Sequence, residues 1–414
     1  MAASIISSGI FIAIFGESFP VSLFQVILIL FIGLLLTKIF FFDRILKTAN
    51  YFTLTLLLLV VMAGSLFYSK GIEGGLINLI RLLTLCLLVF LIIQIKVEVE
   101  SLDLMINIVV IAAIIISCIS ILENILNPQI AIQNVLSSGL KIDRATAGGI
   151  YADPNRFAAS LFLPIIYSFI LVLTTDKIKT KIFFSFSIAV LIIGLVSSYS
   201  RSAFLSLGLT LLIITIYLKK VPQLSILSLI GLVIILSVQP LRSSFLLYGE
   251  RILELLGGAI DTSSNIRLML GSAAIGMFMD SNMIGVGFGA FSENFISYFS
   301  TQESVGVVEP HNVFYTIFAE LGLIGFLIFI LILVKIFADG VQVINNVDLK
   351  TKPLAITLLA SFSCYIIFYQ FYGGALYDAF IYLIIGIILM LKVNIKEFKG
   401  LDSTREISSP NSTF

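Results

Sequence analysis

Repeated apolar runs of membrane-spanning length constrain this chain more than any other feature. A helix needs about 20 apolar residues to cross the ~30 Å hydrocarbon core of a bilayer. The sequence contains twelve such runs, near 2–16, 20–42, 51–68, 76–95, 104–123, 156–175, 181–198, 202–218, 223–239, 311–337, 353–371 and 375–392. The first run is short, so eleven spans is the alternative, and it lacks the basic n-region of a cleaved signal peptide. The pattern predicts an all-α polytopic membrane protein with about 12 transmembrane helices.

Composition leads to the same class. The chain is 59% hydrophobic and 12% charged, with a mean hydropathy of +1.12, and a soluble domain of this kind would expose large apolar surface. We expect one integral membrane domain over residues 1–400 and a polar cytoplasmic tail at 401–414. The net charge of +1 gives no reason to expect a nucleic-acid partner.

The basic residues are sorted between the two sides of the predicted membrane. With both termini cytoplasmic, 16 of the 25 basic residues fall on the inner side, as the positive-inside rule requires. The nine on the outer side are Lys70, Arg81, Lys141, Arg144, Arg156, Arg201, Arg242, Arg251 and Arg267. Seven of these nine are arginines, against two of the sixteen inside. Because guanidinium binds phosphate oxygens in a bidentate fork, the sorting predicts an anion site on the outer face.

The longest outer segment, 240–310, separates the ninth and tenth predicted spans. Ser263 or Ser264 is expected to cap a helix there and to place Arg267 in its first turn. A cation at that position opposes the helix dipole by roughly 0.3–1 kcal/mol, which favours a functional role. The string from Gly285 to Gly289 lacks the strand and helix of a nucleotide-binding loop. It predicts a tight turn that brings backbone close to a ligand or to another helix.

Two shorter outer segments also carry polar residues. Asp153 and Asn155 lie just before a span, where capping is the ordinary structural role for such side chains. Arg156 in the first turn of that span is not explained by capping. Arg201 lies in a polar break between two spans, where an arginine either snorkels to the headgroups or serves an anion site.

His311 is the only histidine of the chain and precedes the tenth predicted span. Its position at the membrane surface is that of a catalytic group of a membrane enzyme, and the alternative is an interfacial cap residue. For a regular helix, four residues fall on the same side as His311: Tyr315, Phe318, Gly322 and Gly325. The two glycines are expected to let a neighbouring helix approach closely. Glu320 points to the opposite side, and we expect it to be a buried structural partner because an unpaired carboxylate in hydrocarbon is costly.

Metal chemistry is not expected. With one histidine and no Asp-x-Asp pair, the chain offers no ligand cluster on the outer side. The three cysteines lie within apolar runs, where free thiols behave as small hydrophobic groups. A transporter of lipid-linked sugars is an alternative class. Such a protein is expected to carry ionisable groups near the midplane and paired broken helices, and neither is evident in the sequence. A non-catalytic scaffold would not need Arg201, Arg267 and His311 together.

The order of these motifs resembles the O-antigen ligase family, whose superfamily also contains O-antigen and exopolysaccharide polymerases. The resemblance covers roughly residues 150–330. It rests on Asp153-Pro154-Asn155 before a span, Ser200-Arg201-x-Ala203, Arg267 ahead of Gly285-x-Gly287-x-Gly289, and His311-Asn312-x9-Gly322-x-x-Gly325.

The resemblance implies an all-helical glycosyltransferase-C fold in the bacterial inner membrane, with its site facing the periplasm. The donor would be a glycan on undecaprenyl pyrophosphate, and neither metal nor cofactor would be needed. A ligase would use lipid A–core as acceptor, whereas a polymerase would join one saccharide repeat unit to another. The implied catalytic residues are Arg201, Arg267 and His311. Further substrate contacts are expected from Arg81, Arg144, Arg156, Asn312 and Tyr315, and no acidic general base is matched by motif.

Overall fold

The computed structural model describes residues 49–95, 97, 99–126, 153–198, 200–222, 262–298 and 310–395, together with residues 33 and 37. Regular structure in these residues is helical throughout. Helices α1 to α7 are Asn50–Ser65, Ile72–Gln94, Val99–Leu126, Pro154–Ser160, Phe162–Thr174, Ile178–Ser197 and Arg201–Tyr217. Helices α8 to α12 are Thr262–Asp280, Phe291–Tyr298, Val313–Asn346, Lys352–Phe368 and Ala379–Val393, and a 3₁₀ turn, Ala375–Tyr377, precedes the last.

Nine helical segments correspond to predicted spans. Five are long and apolar enough to cross a membrane, namely Ile72–Gln94, Val99–Leu122, Pro154–Thr174, Ile178–Ser197 and Val313–Asn346. Four shorter apolar helices are α1, α7, α11 and α12. The predicted spans near 2–16, 20–42 and 223–239 lie outside the described residues, apart from residues 33 and 37. The chain is a helical membrane protein, and a total of twelve spans stays a prediction.

The span formed by α4 and α5 is the most buried of the five candidates. The two helices are separated at Leu161. Pro164 accounts for the break, because it has no N–H to donate to the carbonyl of Ser160. On the α5 side, Phe162 packs edge-to-face against Tyr365 and Phe368 of α11. This span begins at the same end of the bundle as Arg156 and Arg201, two of the arginines predicted to lie on the outer side.

Contacts between helix ends define two ends of the bundle. At one end the hydroxyl of Ser200 donates to Oδ1 of Asn155 at 2.7 Å, and the N–H of Val313 donates to the carbonyl of Tyr369 at 3.1 Å. At the other end lie three described lysines that were predicted to be inside, Lys335, Lys350 and Lys392. Lys350 pairs with Glu100 there, and Lys335 and Lys392 both pair with the buried carboxylate of Asp339. The two ends therefore differ in chemistry as the charge pattern predicted.

Helix α10 is longer than expected and is interrupted at Gly322. The helix continues to Asn346, but Gly322 has φ 64° and ψ −158°, which is not helical. The loop from 281 to 290 bonds the groups that the break releases. Leu323 donates its N–H to the carbonyl of Met283, and the carbonyls of Ala319 and Glu320 accept from Val286 and Gly287, each at 2.9 Å. The expectation of a regular helix through Gly322 is therefore wrong.

The glycine string forms the tight turn that the sequence predicted. Gly285, Gly287 and Gly289 have φ values of 91°, 98° and 77°. A Cβ at Gly285 would lie 2.5 Å from the carbonyl oxygen of Glu320, and one at Gly289 would lie 2.5 Å from the backbone nitrogen of Gly75. The turn thus brings backbone against α10 on one side and α2 on the other, so the predicted close approach to other helices is confirmed.

The expected role of Gly322 and Gly325 needs correction. A Cβ at Gly322 would lie 2.2 Å from the carbonyl oxygen of Met283, so its neighbour is the glycine-rich loop and not a helix. A Cβ at Gly325 would lie 2.3 Å from Cβ of Leu321 in the same helix. The break explains both contacts, because it displaces the following turn from the regular helical path.

Candidate functional site

His311 is held in a defined place by the residues that follow it. It has a left-handed φ of 51°, which is uncommon for a residue with a side chain. Asn312 caps α10, with Oδ1 accepting from the N–H groups of Phe314 and Tyr315 at 2.8 and 3.1 Å. Its amide donates to the carbonyl of Gln370 at 3.0 Å. The cap and this bond fix the backbone beside His311, whose side chain is exposed.

Arg267 is brought to His311 by the parallel packing of α8 and α10. A Cβ at Gly271 would lie 2.9 Å from Cε2 of Tyr315, and further along the rings of Phe278 and Phe318 stack with centroids 3.7 Å apart. One turn back from Gly271 lies Arg267, level with the residues that precede Tyr315. Arg267 accordingly acts electrostatically on His311.

The local prediction for Arg267 was wrong in one respect. Helix α8 includes Ser263 and Ser264, so neither is its N-cap. Arg267 is at least the sixth helical residue and does not lie in the first turn. Its place is explained by packing against α10 and not by the end of its own helix.

Arg201 begins α7 in a turn rich in hydroxyl groups. Ser200 caps that helix by accepting from the N–H of Ala203, and its hydroxyl donates to Asn155 at the start of α4. The Asn155 side chain therefore joins two helix starts, whereas Asp153 is the cap of α4, accepting from the N–H of Asn155 at 2.7 Å. The predicted cap at Asp153 is confirmed. Arg201 and Arg156 lie in the first turns of these two joined helices.

Tyr372 connects several of these groups. Its hydroxyl donates to Oδ2 of Asp153 and accepts from Nε of Arg156 at 3.3 Å. Its ring lies 6.5 Å from the imidazole of His311, centroid to centroid. Tyr372 lies in the connection between α11 and α12, far along the chain from the other residues, and sequence reasoning did not find it. The only signal was a tyrosine- and glycine-containing interruption between two apolar runs.

The imidazole of His311 has a pKa lowered from its ordinary value of 6.5. Burial by surrounding protein atoms is the largest cause, although the residue keeps an exposed surface, and the positive charge of Arg267 acts in the same direction. The negative charge of Asp153 opposes them. The net effect favours a neutral imidazole, which can accept a proton.

The other predicted residues divide between the site and its surroundings. Tyr315 packs against α8 one turn from Arg267. Asn312 caps α10 and donates to the carbonyl of Gln370. Arg81 is exposed on α2 and donates to Asn78 at 3.4 Å. It lies six residues, about 9 Å along the helix, from Gly75, where α2 meets the glycine-rich loop at Phe288. In the described part of the chain nothing joins Arg81 to His311, and Arg144 lies outside that part.

Glu320 has the structural role that the sequence predicted. It is buried, and its two carboxylate oxygens accept from the backbone N–H groups of Gly289 and Phe291 at 3.0 and 3.1 Å. It therefore caps the start of α9 and ties the glycine-rich loop to α10. Glu320 is a structural residue and stands apart from the His311 cluster.

Comparison with known families bears on the residues just described. Residues 186–330 match the family model described as O-antigen ligase. The match supports assignment to the O-antigen ligase family. No curated protein matches the chain. The matched residues include Arg201, Arg267 and His311, so the resemblance expected from the sequence is confirmed where those motifs lie.

The O-antigen ligase match does not reach every part of the site. Asp153 and Arg156 precede the matched residues, and Tyr372 follows them. The structure nevertheless joins these three side chains to one another and places Tyr372 beside His311. The match and the apolar helices together support a multi-pass membrane enzyme of the O-antigen ligase and polymerase type.

Proposed function

We propose that this protein is a glycosyltransferase that moves a glycan from undecaprenyl pyrophosphate to an acceptor at the periplasmic face of the inner membrane. We assign it to the ligase type, with lipid A–core as the acceptor. The observation that carries the proposal is the packing of α8 along α10, which places Arg267 one turn from the Tyr315 contact at the end of the bundle where His311 lies, within residues that match the O-antigen ligase family. The positive-inside pattern of the sequence supports a periplasmic location for that end.

The arginines suit the leaving group of this reaction. The acceptor hydroxyl attacks the anomeric carbon, the glycosidic carbon–oxygen bond breaks, and polyprenyl pyrophosphate departs with the bonding electrons. Negative charge therefore grows on the pyrophosphate as the bond breaks. Guanidinium groups of Arg201 and Arg267, held by packed helices, would stabilise that charge more in the transition state than in the ground state.

His311 suits the other half of the reaction. The acceptor hydroxyl must lose a proton as it attacks, and a neutral imidazole can accept it. The lowered pKa of His311 keeps the imidazole neutral at physiological pH. Arg267 would then have two effects, since it both contacts the anion and keeps its neighbour unprotonated.

The proposed reaction uses no metal ion. Among the described residues, no three His, Cys, Asp or Glu side chains are grouped so as to hold one. The fixed positive charges of Arg201 and Arg267 would take the part that a divalent cation plays in many other glycosyltransferases.

A turnover assay separates this proposal from transport. Purified protein in nanodiscs is given undecaprenyl-pyrophosphate-linked glycan and lipid A–core, and both glycosylated acceptor and free undecaprenyl pyrophosphate are measured. An enzyme produces the two in equal amounts over many turnovers. A transporter of lipid-linked sugars, or a scaffold, releases neither, and that result would exclude the proposed function.

A polymerase is the alternative within the same superfamily, because it uses the same donor and the same leaving group. Gene deletion distinguishes the two. Loss of a ligase leaves long lipid-linked polymer and bare lipid A–core. Loss of a polymerase leaves core carrying a single repeat unit, which would overturn the ligase assignment while keeping the donor chemistry.

A further inference from the structure

The hydroxyl of Tyr372 has two partners, and both belong to the candidate site. It donates its proton to Asp153 and accepts the Nε–H of Arg156 at 3.3 Å. A phenolic hydroxyl offers one donor and also accepts, so these two bonds use both capacities. Asp153 and Arg156 both lie at the start of α4, so the Tyr372 hydroxyl bonds to that helix start twice.

The bond to Arg156 is made in a way that orients its guanidinium. The group is planar and carries five N–H donors. Because Tyr372 is bonded through the Nε–H, this contact leaves the end-on pair of terminal NH2 groups unused. Those nitrogens form the fork that grips phosphate oxygens. Arg156 is exposed, so a ligand can reach its side chain.

The same connection also holds His311. The carbonyls of Tyr369 and Gln370 accept from Val313 and from the amide of Asn312 at 3.1 and 3.0 Å. The ring of Tyr372 then lies beside the imidazole, tilted by 32° at a centroid distance of 6.5 Å. Residues 369–372 therefore fix the backbone next to His311 and place a side chain against its ring.

We propose that Tyr372, anchored by Asp153, is a positioning residue of the transfer site that sets both the Arg156 fork and the His311 imidazole. The inference rests on the proposed function, and it extends the site to residues on both sides of the family match. Tyr372 acts through its neighbours, so it is not assigned a chemical step. Asp153 has two tasks, since it caps α4 and fixes the tyrosine hydroxyl.

A second Tyr–Asp pair provides a matched control. At the opposite end of the bundle, the hydroxyl of Tyr167 donates to Oδ1 of Asp103 at 3.3 Å. Tyr167→Phe removes the same kind of bond as Tyr372→Phe and leaves the site untouched. In both variants the ring stays packed, since Phe368 stacks on Tyr372 at 5.3 Å and Phe184 packs edge-to-face on Tyr167 at 5.7 Å.

Two measurements on the full-length protein test the inference. The first is the kcat and donor KM of transfer by wild type, Tyr372→Phe and Tyr167→Phe. We expect kcat of Tyr372→Phe to fall by about tenfold to a hundredfold because the imidazole is misplaced, and the donor KM to rise because the Arg156 fork is no longer held. The second is the NMR signal of the His311 imidazole, followed as its chemical shift and its pKa. Its assignment is unambiguous because the chain has one histidine.

The imidazole signal should report the neighbours of His311. Its pKa is set by burial, by Arg267 on α8 and by Asp153 before α4. Asp153→Asn retains a capping side chain but loses the negative charge, so the pKa of His311 should fall further. Tyr372→Phe should shift the His311 signal, and Tyr167→Phe should leave it where it is in wild type.

Two results would overturn the inference. One is a Tyr372→Phe variant whose kcat equals that of Tyr167→Phe; the other is a His311 signal unchanged by both Tyr372→Phe and Asp153→Asn. If the wild type transfers no glycan, the proposed function fails, and the His311 signal still decides whether Tyr372 positions the imidazole.

Discussion

Glu320 on α10 accepts the backbone N–H of Gly289 through Oε2 at 3.0 Å, which ties the first half of that helix to the glycine-rich loop. Its other oxygen accepts the N–H of Phe291 at 3.1 Å. One buried carboxylate thus holds the loop whose backbone also bonds to the interrupted part of α10. The contact is structural, but α8 leads into that loop, so it also supports the helix that carries Arg267.

Removing this carboxylate should destabilise the protein. In Glu320→Ala the buried N–H of Phe291 and the partly buried N–H of Gly289 lose their acceptor, at a cost of about 1–3 kcal/mol for a fully buried group. Glu320→Gln keeps one strong acceptor and should lie between the alanine variant and wild type. Thermal unfolding in detergent measures the order. Equal unfolding temperatures for wild type and Glu320→Ala would contradict the assigned role.

Gly322 should tolerate no side chain. Its φ of 64° and ψ of −158° are accessible essentially only to glycine, and a Cβ would lie 2.2 Å from the carbonyl of Met283. We expect Gly322→Ala to lower the unfolding temperature sharply and to reduce the yield of folded protein. Gly208→Ala on the exposed face of α7 is the control, because a Cβ there meets nothing within 4 Å. A Gly322→Ala protein as stable as Gly208→Ala would refute the observed break.

The pH dependence of His311 follows from its neighbours. Burial and the charge of Arg267 lower its pKa below 6.5, so the neutral base forms at a lower pH than in a free peptide. Transfer should therefore fall on the acid side with a midpoint below 6.5, the ordinary value of the group. In Arg267→Ala the imidazole signal should titrate at higher pH than in wild type, since a repelling charge is gone. A His311 pKa that is lower in Arg267→Ala than in wild type would contradict the placement of Arg267 near the imidazole.

Much of this architecture could be predicted from local sequence. Apolar runs of spanning length located nine helical segments, and Asp153-Pro154 marked the start of α4, because a cap and a proline at N1 act within one turn. Burial of Glu320 was predicted from the cost of a carboxylate in hydrocarbon. Each of these depends on residues near one another in the chain.

The features that were missed depend on distant partners. The break at Gly322 exists because the loop around Met283 bonds the released backbone groups, which no helical periodicity encodes. The Tyr372 hydroxyl meets Asp153 across a separation of 219 residues. Arg267 was placed at a helix start because the serines before it resemble caps, whereas packing of α8 along α10 sets its position.

Metal independence can be tested with a chelator. Transfer should continue in excess EDTA, because the proposed anion site consists of guanidinium groups. The rate with EDTA is compared with the rate after adding Mg²⁺ or Mn²⁺. Strong inhibition by EDTA that either ion reverses would show that a metal ion takes part.

The most direct test of the account is the rate at which purified arginine variants release undecaprenyl pyrophosphate from the glycan donor. Arg201→Lys and Arg267→Lys keep the positive charge but lose the bidentate fork, so release should fall about a hundredfold or more while membrane insertion stays normal. Lys350→Arg is the comparison, because it also exchanges one basic side chain for another and Lys350 pairs with Glu100 at the opposite end of the bundle, and its release should stay close to wild type. Near-normal release by both Arg201→Lys and Arg267→Lys would contradict the claim that these guanidinium groups stabilise the departing pyrophosphate.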